Sequence, residues 1–361
     1  MKYYSLTNAA NTANFSEAVI RGLAPDRGLY FPEKTSRLSE DFLLGLSNKT
    51  AVEIGMEVMR PFVGGTIPDD RLEQIVSDTL CFDFPLVPLN EKSASLELFH
   101  GPTMAFKDVG ARFMARCIGY FNEETPKKVT VLVATSGDTG GAVASGFLGI
   151  EGTEVIILYP KGKVSHIQEL QLTTNGNNIR AIEVDGVFDD CQEMVKSAFI
   201  DEDLKAKLNL TSANSINVAR WLPQSLYFFF AYQHLLRQDF NGKLVFSVPS
   251  GNFGNICAGI VANRLGLPVH HFIASTNTND TVPRYLETKN YQPNPSKQTI
   301  SNAMDVGNPS NFIRIQSLFN NDFDALKAHF SSFSFDDTQT RSALKSLYNN
   351  SGYIADPHGA V

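Results

Sequence analysis

The chain has 361 residues, 43% of them hydrophobic, and a net charge of −7. That size fills two or three domains with ample core, and the composition is that of an ordinary globular protein, so disorder is excluded. A mildly acidic chain with no basic block also excludes nucleic acid as a main partner.

Nothing near the N-terminus, Met1 to Asn8, resembles a signal peptide's apolar core. The densest apolar run, Leu226 to Tyr232, is far too short to span a bilayer, so no membrane is expected. Residues 1–95 read as mixed helix and loop, punctuated by Pro25, Gly28, Pro32, Pro61, Gly64, Gly65 and Pro68. Ser39 to Leu46 and Asp70 to Leu80 read as helices, with Asp70 and Glu73 as a capping box. Phe84 to Pro88 reads as an extended, proline-marked segment that leads into the Lys107 region.

His100-Gly101-Pro102 reads as a turn, with Thr103 as a helix cap. From Phe106 to Phe121 apolar residues recur at helical spacing: Phe106, Val109, Phe113, Cys117, Phe121. On a wheel of about 100° per residue, Asp108, Arg112 and Arg116 share the polar side. Lys107 does not. Its stripe continues through Ala111, Met114 and Ile118. Two readings of a lysine there stay open. Its stem can be buried while the ammonium snorkels to water. Alternatively the amine is desolvated, which lowers its pKa and makes it a nucleophile suited to a Schiff base.

From residue 129 the pattern becomes strand, turn, helix, repeated. Val129 to Ala134, Val155 to Leu158, Ile179 to Val184 and Leu244 to Val248 read as strands, and His271 to Ala274 as a weaker one. Helical patterns cover Ala142 to Leu148, Cys191 to Phe199, Leu222 to Leu236 and Ile256 to Leu265. The alternation predicts an α/β fold with mostly parallel sheets. The aromatic run Tyr227 to Phe230 reads as core packing, and Asn290 to Pro295 as a surface loop. The four cysteines, Cys81, Cys117, Cys191 and Cys257, lack C-x-x-C spacing. They read as reduced core thiols of a cytoplasmic protein, with neither a metal site nor a disulfide framework.

Two strands run into the same kind of glycine-rich loop. Thr135 to Gly141 follows the first, and Pro249 to Asn255 follows Leu244 to Val248. Glycines let the backbone approach a ligand closely, and the helix N-terminus behind them favours an anion. The bland alternative for each loop is a plain turn. Neither matches a Walker A loop or G-x-G-x-x-G. One amine and two anion cradles would serve a cofactor with an aldehyde and a phosphate, plus a substrate carboxylate. Asp138 conflicts with an anion cradle. It can point outward, close an Asx-turn or be protonated, and these options stay open. His100 reads as a loop-orienting residue or a proton shuttle. Asn214 to Asn217 reads as a cleft lining or a turn with a helix cap. Lys161 and Lys163 read as a phosphate-attracting patch or as solvated surface. No mechanism follows from Asn302 to Val306.

The residues that carry a family likeness are Arg27 to Pro32, Leu98 to Asp108, Thr135 to Gly140, Ser212 to Asn217, Ser247 to Gly254, Asn279 to Arg284 and Ser301 to Val306. Taken together they resemble the threonine synthases, pyridoxal-phosphate enzymes of fold type II. Phe106-Lys107-Asp108 with Ser250 to Gly254 narrows the likeness to that family. The resemblance implies an α/β fold of two mostly parallel-sheet domains with an N-terminal mixed segment and the cofactor in the cleft between domains. It implies residues 1–95 as that segment, 96–128 with 240–361 as the large cofactor-binding domain, and 129–239 as a small mobile substrate domain. Pyridoxal 5'-phosphate is the implied cofactor and Lys107 the implied Schiff-base lysine. Gly251, Asn252, Phe253, Gly254 and Asn255 are the implied phosphate cradle. Ser136, Gly137, Asp138 and Thr139 are the implied loop for the substrate carboxylate. The family often has Asp where Asn255 stands, and many relatives in the wider fold group have Asn at Asp138.

The implied activity is a lyase of threonine biosynthesis. It converts O-phospho-L-homoserine and water to L-threonine and phosphate, by γ-elimination and then β-addition of water, in a monomer or weak homo-oligomer. The family also carries a later segment with a Thr near the cofactor's pyridine nitrogen, and no residue up to Val361 takes that role. The rival readings are another fold type II enzyme, of the dehydratase or cysteine-synthase kind, and a non-catalytic binder of a phosphorylated metabolite.

Overall fold

Tyr3, Tyr30 and Phe31 are buried where the first strands of the chain meet, in a computed structural model that describes residues 1–124 and 128–361. Strands β1 (Tyr3–Ser5), β2 (Thr12–Ala13) and β3 (Tyr30–Pro32) form an antiparallel sheet in the order β2-β1-β3. This sheet has no signal in the alternation of the sequence, because its strands are only two or three residues long. A hairpin of β4 (Leu86–Asn90) and β5 (Ser93–Leu96) forms where the extended, proline-marked segment was expected.

The β-branched run Val129–Ala134 is β6, buried at every residue. It pairs in parallel with β7 (Thr153–Pro160) and with β9 (Asn209–Ser212), and β7 pairs in parallel with β8 (Ile179–Val184). The order is β8-β7-β6-β9. A strand buried on both faces reads as an unbroken apolar run, which is why β6 was legible residue for residue. A second parallel sheet has the order β10-β11-β12, from Leu244–Pro249, Val269–Thr276 and Phe330–Ser334. The expected α/β class with parallel sheets is the one observed.

Packing sorts the chain into two units. The first holds Met1–Ser36, Lys49–Phe84 and Leu98–Leu226, and the second holds Arg37–Asn48, Pro85–Glu97 and Tyr227–Val361. This division differs from the threefold arrangement expected from sequence. Helix Asp108–Glu124 buries Val109, Ala111, Phe113, Met114, Cys117 and Ile118. It packs on helices Asp138–Phe147 and Val218–Trp221. Its apolar face therefore packs within the first unit.

Two local expectations are corrected. The helix Asp69–Thr79 has Pro68 at its N-cap and no side-chain cap bond, so Asp70 is inside the first turn and not a cap. The capping box forms one helix earlier, where Thr50 and Glu53 cap Ala51–Val63. Pro61 lies inside that helix, near its end, and does not break it ahead of Gly64. The aromatic run is core as expected: Tyr227, Phe228, Phe229 and Phe230 are all buried, with Phe228 against Phe246 and Phe272. Cys117, Cys191 and Cys257 are buried and Cys81 is exposed, all four without disulfides. No helix among the described residues is long and apolar enough to cross a membrane.

Candidate active site

Lys107 is the residue just before the helix, not within it. The helix begins at Asp108, and the Lys107 carbonyl accepts the Ala111 N–H at 3.0 Å. Thr103 is not the cap either. The Asp108 carboxylate reaches back instead, accepting from the Thr103 N–H at 3.0 Å and from its hydroxyl at 2.5 Å. That pair closes the turn after Gly101 and holds Met104 in the left-handed region at φ 58°. Burial pushes the Asp108 carboxyl up, and the Thr103 bonds pull against it.

The stripe continued through Ala111, Met114 and Ile118 is fully buried, as its spacing requires. Lys107 stands at its N-terminal end with a side chain only 18% exposed. Burial lowers the pKa of its amine. Asp138 opposes the shift, and the Arg220 guanidinium adds to it. The nearest carboxylate oxygen, Asp138 Oδ2, is 3.8 Å from Nζ. Of the two readings left open for this lysine, the geometry matches the desolvated amine.

The first glycine loop supplies that carboxylate. Gly137 is at φ 138°, a conformation that residues with a Cβ rarely adopt. Thr135 Oγ1 accepts the N–H groups of Gly137 and Gly140, at 2.9 and 2.8 Å. Asp138 then opens the helix Asp138–Phe147, whose first N–H groups have no acceptor inside the helix. The Asp138 side chain closes no Asx-turn on its own loop and turns to Gln168 and Lys107 instead. Its Oδ1 accepts from Gln168 Nε2 at 2.6 Å, and its Oδ2 faces Lys107. Ser136 and Thr139 beside it are half-buried.

The second loop has the same backbone plan with different chemistry. A Cβ on Gly251 would stand 2.6 Å from Met304 Cα, so only glycine fits between the loop and residues 303–304. Asn252 Oδ1 accepts the Ser310 N–H at 2.6 Å and its hydroxyl at 2.9 Å. Phe253 is left-handed at φ 60°, a conformation that costs a bulky residue about 1–3 kcal/mol. Its ring is buried edge-on against Phe312, 5.8 Å away. Gly254 opens the helix Gly254–Arg264, with no carboxylate in its first turn. Cys257, one turn in, is pushed up to about 12 by burial, with the buried Arg314 acting against that shift.

Residues Asn302 to Val306, which had no assignable mechanism, now have a structural one. Asp305 accepts from the Thr299 N–H and hydroxyl at 3.0 and 2.7 Å, and from Asn277 Nδ2 at 2.9 Å. This network pins the turn that lays Met304 against Gly251. Asn217 caps Val218–Trp221 and donates to the Val19 and Ser212 carbonyls, which is the cap reading of that segment. His100 is exposed and stacked on Phe99, and Lys161 and Lys163 are exposed. Sequence reasoning missed Gln168, Arg220 and Asp305. Only Gln168 carried a local signal, the Ser165-x-x-Gln168 capping pattern just after β7.

Taken singly, Lys107 fits an aldehyde and the second loop fits a phosphate. The amine has a lowered pKa and one facing carboxylate. The second loop is a helix N-terminus with glycines in close contact, and Asn255 Oδ1 is buried there with no hydrogen-bond partner among the described residues. The amide can turn to present its NH2 group to an anion. Comparison with known proteins agrees. A sequence model described as pyridoxal-phosphate dependent enzyme matches residues 82–361, more than half the chain. The class is thus an α/β enzyme that uses pyridoxal phosphate.

A model described as threonine synthase N terminus matches residues 2–80. The chain is 44% identical over 362 residues to a threonine synthase of Buchnera aphidicola subsp. Baizongia pistaciae, covering 100% of this chain and 84% of that protein. The crystal structure of threonine synthase from Escherichia coli matches with a TM-score of 0.93 at 42% identity, over 100% of this chain and 83% of that one. The structure of pyridoxal-phosphate-bound threonine synthase from Brucella melitensis matches with a TM-score of 0.93 at 37% identity, over 100% of this chain and 84% of that one. The chain belongs to the threonine synthase family of pyridoxal-phosphate-dependent enzymes.

Proposed function

We propose that this chain converts O-phospho-L-homoserine and water to L-threonine and phosphate, with Lys107 as the residue that binds the cofactor's carbonyl. The single observation that carries this reading is the Lys107 amine. It is desolvated, its pKa is lowered, and it is paired with one carboxylate at 3.8 Å. The Gly251 to Asn255 loop holds the cofactor's phosphate through helix N-terminal N–H groups. Bound there, pyridoxal phosphate supplies an electron sink that makes the substrate's α- and β-protons acidic.

The chain's own residues do the rest. The Lys107 amine, uncharged in part because burial disfavours its ammonium form, takes the α-proton at Nζ as general base. Asp138 holds the proton-bearing Nζ by charge once it is protonated. The substrate carboxylate is held by Ser136, Gly137 and Thr139 at the N-terminus of helix Asp138–Phe147. The Asp138 side chain is turned to Gln168 and Lys107, so its charge does not occupy that anion site. Burial of the Lys107 side chain limits the access of water to the amine.

Purified protein with pyridoxal phosphate and O-phospho-L-homoserine is expected to release phosphate and form threonine in equal amounts. The same protein with L-serine is expected to give little product. Oxoacid formation from serine at a comparable rate would replace this reading with a dehydratase. Binding of phosphohomoserine without turnover would replace it with a metabolite-binding protein.

A further inference from the structure

The carboxylate that faces Lys107 is itself held by one side chain, and the chemistry of that hold is over-determined. Gln168 is the third residue of helix His166–Thr173, whose N-cap is Ser165. The two form a capping box. Ser165 Oγ accepts the Gln168 N–H at 3.3 Å, and Gln168 Oε1 accepts the Ser165 backbone N–H at 3.2 Å and its hydroxyl at 3.1 Å. A backbone N–H can only donate, so the end of the amide that faces Ser165 must be the oxygen. The NH2 end is then compelled to face outward, and it donates to Asp138 Oδ1 at 2.6 Å.

That donor explains why the third position is Gln and not Glu. Either residue completes a capping box equally well. Only Gln presents a donor to Asp138; Glu would place a second carboxylate oxygen there. A short bond donated to a carboxylate favours its charged form and fixes its rotamer. With Oδ1 so held, Oδ2 points at Lys107 Nζ, 3.8 Å away.

We propose that Gln168 is a positioning residue, keeping the Asp138 carboxylate aimed at the Lys107 amine and so setting the pH range in which that amine is free to react. The inference rests on the reading of Lys107 as the cofactor-binding amine. The charged groups that act on this amine are Asp138 and Arg220, and only Asp138 is held by Gln168.

The test is the rate at which protein stripped of cofactor captures pyridoxal phosphate, followed by absorbance as a function of pH. In that step the amine nitrogen bonds to the aldehyde carbon and the carbonyl oxygen leaves as water. Only the uncharged amine attacks, so the midpoint of the profile titrates Lys107. Gln168→Glu adds negative charge beside Asp138 while leaving the capping box whole. Its midpoint should move up by about one pH unit, opposite in sign to Gln168→Ala, slowing capture about tenfold below the midpoint, and the melting temperature should fall because two carboxylates then face each other. Gln168→Ala releases Asp138 and should move the midpoint down, and in an Asp138→Asn background it should move nothing. An unmoved midpoint in both single variants would overturn the inference alone. So would shifts of one sign accompanied by loss of stability, which is what a purely capping role produces. A Gln168→Ala shift that persists without Asp138 would overturn it as well. Failure of the unsubstituted protein to capture the cofactor at any pH would overturn both this inference and the reading of Lys107.

Discussion

The two glycine loops use one backbone device for opposite chemistry. Each follows a parallel strand and opens a helix, β6 into Asp138–Phe147 and β10 into Gly254–Arg264. Each therefore sets a helix N-terminus and its positive dipole end beyond a strand, although in the first the Gly137 and Gly140 N–H groups are taken by Thr135 Oγ1. The difference lies in the side chains of the first turn. The first loop places Asp138 there, ties it to Gln168 and aims it at an amine. The second has only amides, Asn252 and Asn255, and is backed by the Met304 turn. A helix N-terminus is a generic anion site, and one carboxylate in its first turn, turned aside to Gln168 and Lys107, sets a cation-tuning group beside it.

The largest effect that would break this comparison is loss of the amine. Lys107→Ala is expected to lower threonine formation by at least ~10³-fold, because the nucleophile and the base are the same group. Borohydride should then no longer fix cofactor to the protein, as mass spectrometry would show. Retained turnover would mean that the first loop does not serve an amine at all.

The second loop is tested by filling its contact with residues 303–304. Gly251→Ala puts a Cβ 2.6 Å from a backbone atom, which cannot swing aside as a side chain would. Overpacking of this kind costs about 1–3 kcal/mol, so cofactor affinity should fall roughly 10- to 100-fold. The pH midpoint of Lys107 should stay where it is. A moved midpoint would show that the two loops do not divide the work in this way.

Support for the second loop can be loosened without touching it. Asp305→Asn turns one acceptor into a donor opposite the donors of Thr299 and Asn277, so unfolding stability should drop by about 1–3 kcal/mol in urea titrations. The smallest effect is a gain. Lys107 has a lowered pKa in the fold, so the unfolded chain binds its proton more tightly. The resulting penalty is complete below the folded pKa and disappears above the unfolded value of about 10.4, so stability rises with pH between the two. Lys107→Met should thus stabilise the cofactor-free protein by on the order of 1 kcal/mol at pH 7, and the gain should shrink towards pH 10.5. An equal gain at both pH values would assign it to packing and not to charge.

Much of this molecule is local in origin. β6 and β8 run over the residues expected for them, but only β6 is buried at every residue, so that its apolar run needs no partner to be recognised; β8 is buried at Ile179 alone. Glycine followed by a helix marked both loops, and the stripe through Ala111, Met114 and Ile118 marked Lys107. The N-terminal sheet was invisible because strands of two or three residues have no period to read. Gln168 was invisible as a functional residue because its partner stands thirty positions away. The sequence by itself determined the α/β class, the two glycine turns that open helices and the presence of one displaced amine, since periodicity and turn chemistry act over a few residues. Only the tertiary structure decided what the amine and Asp138 are to each other. Burial and a 3.8 Å approach depend on which helices pack together, and no spacing along the chain encodes them.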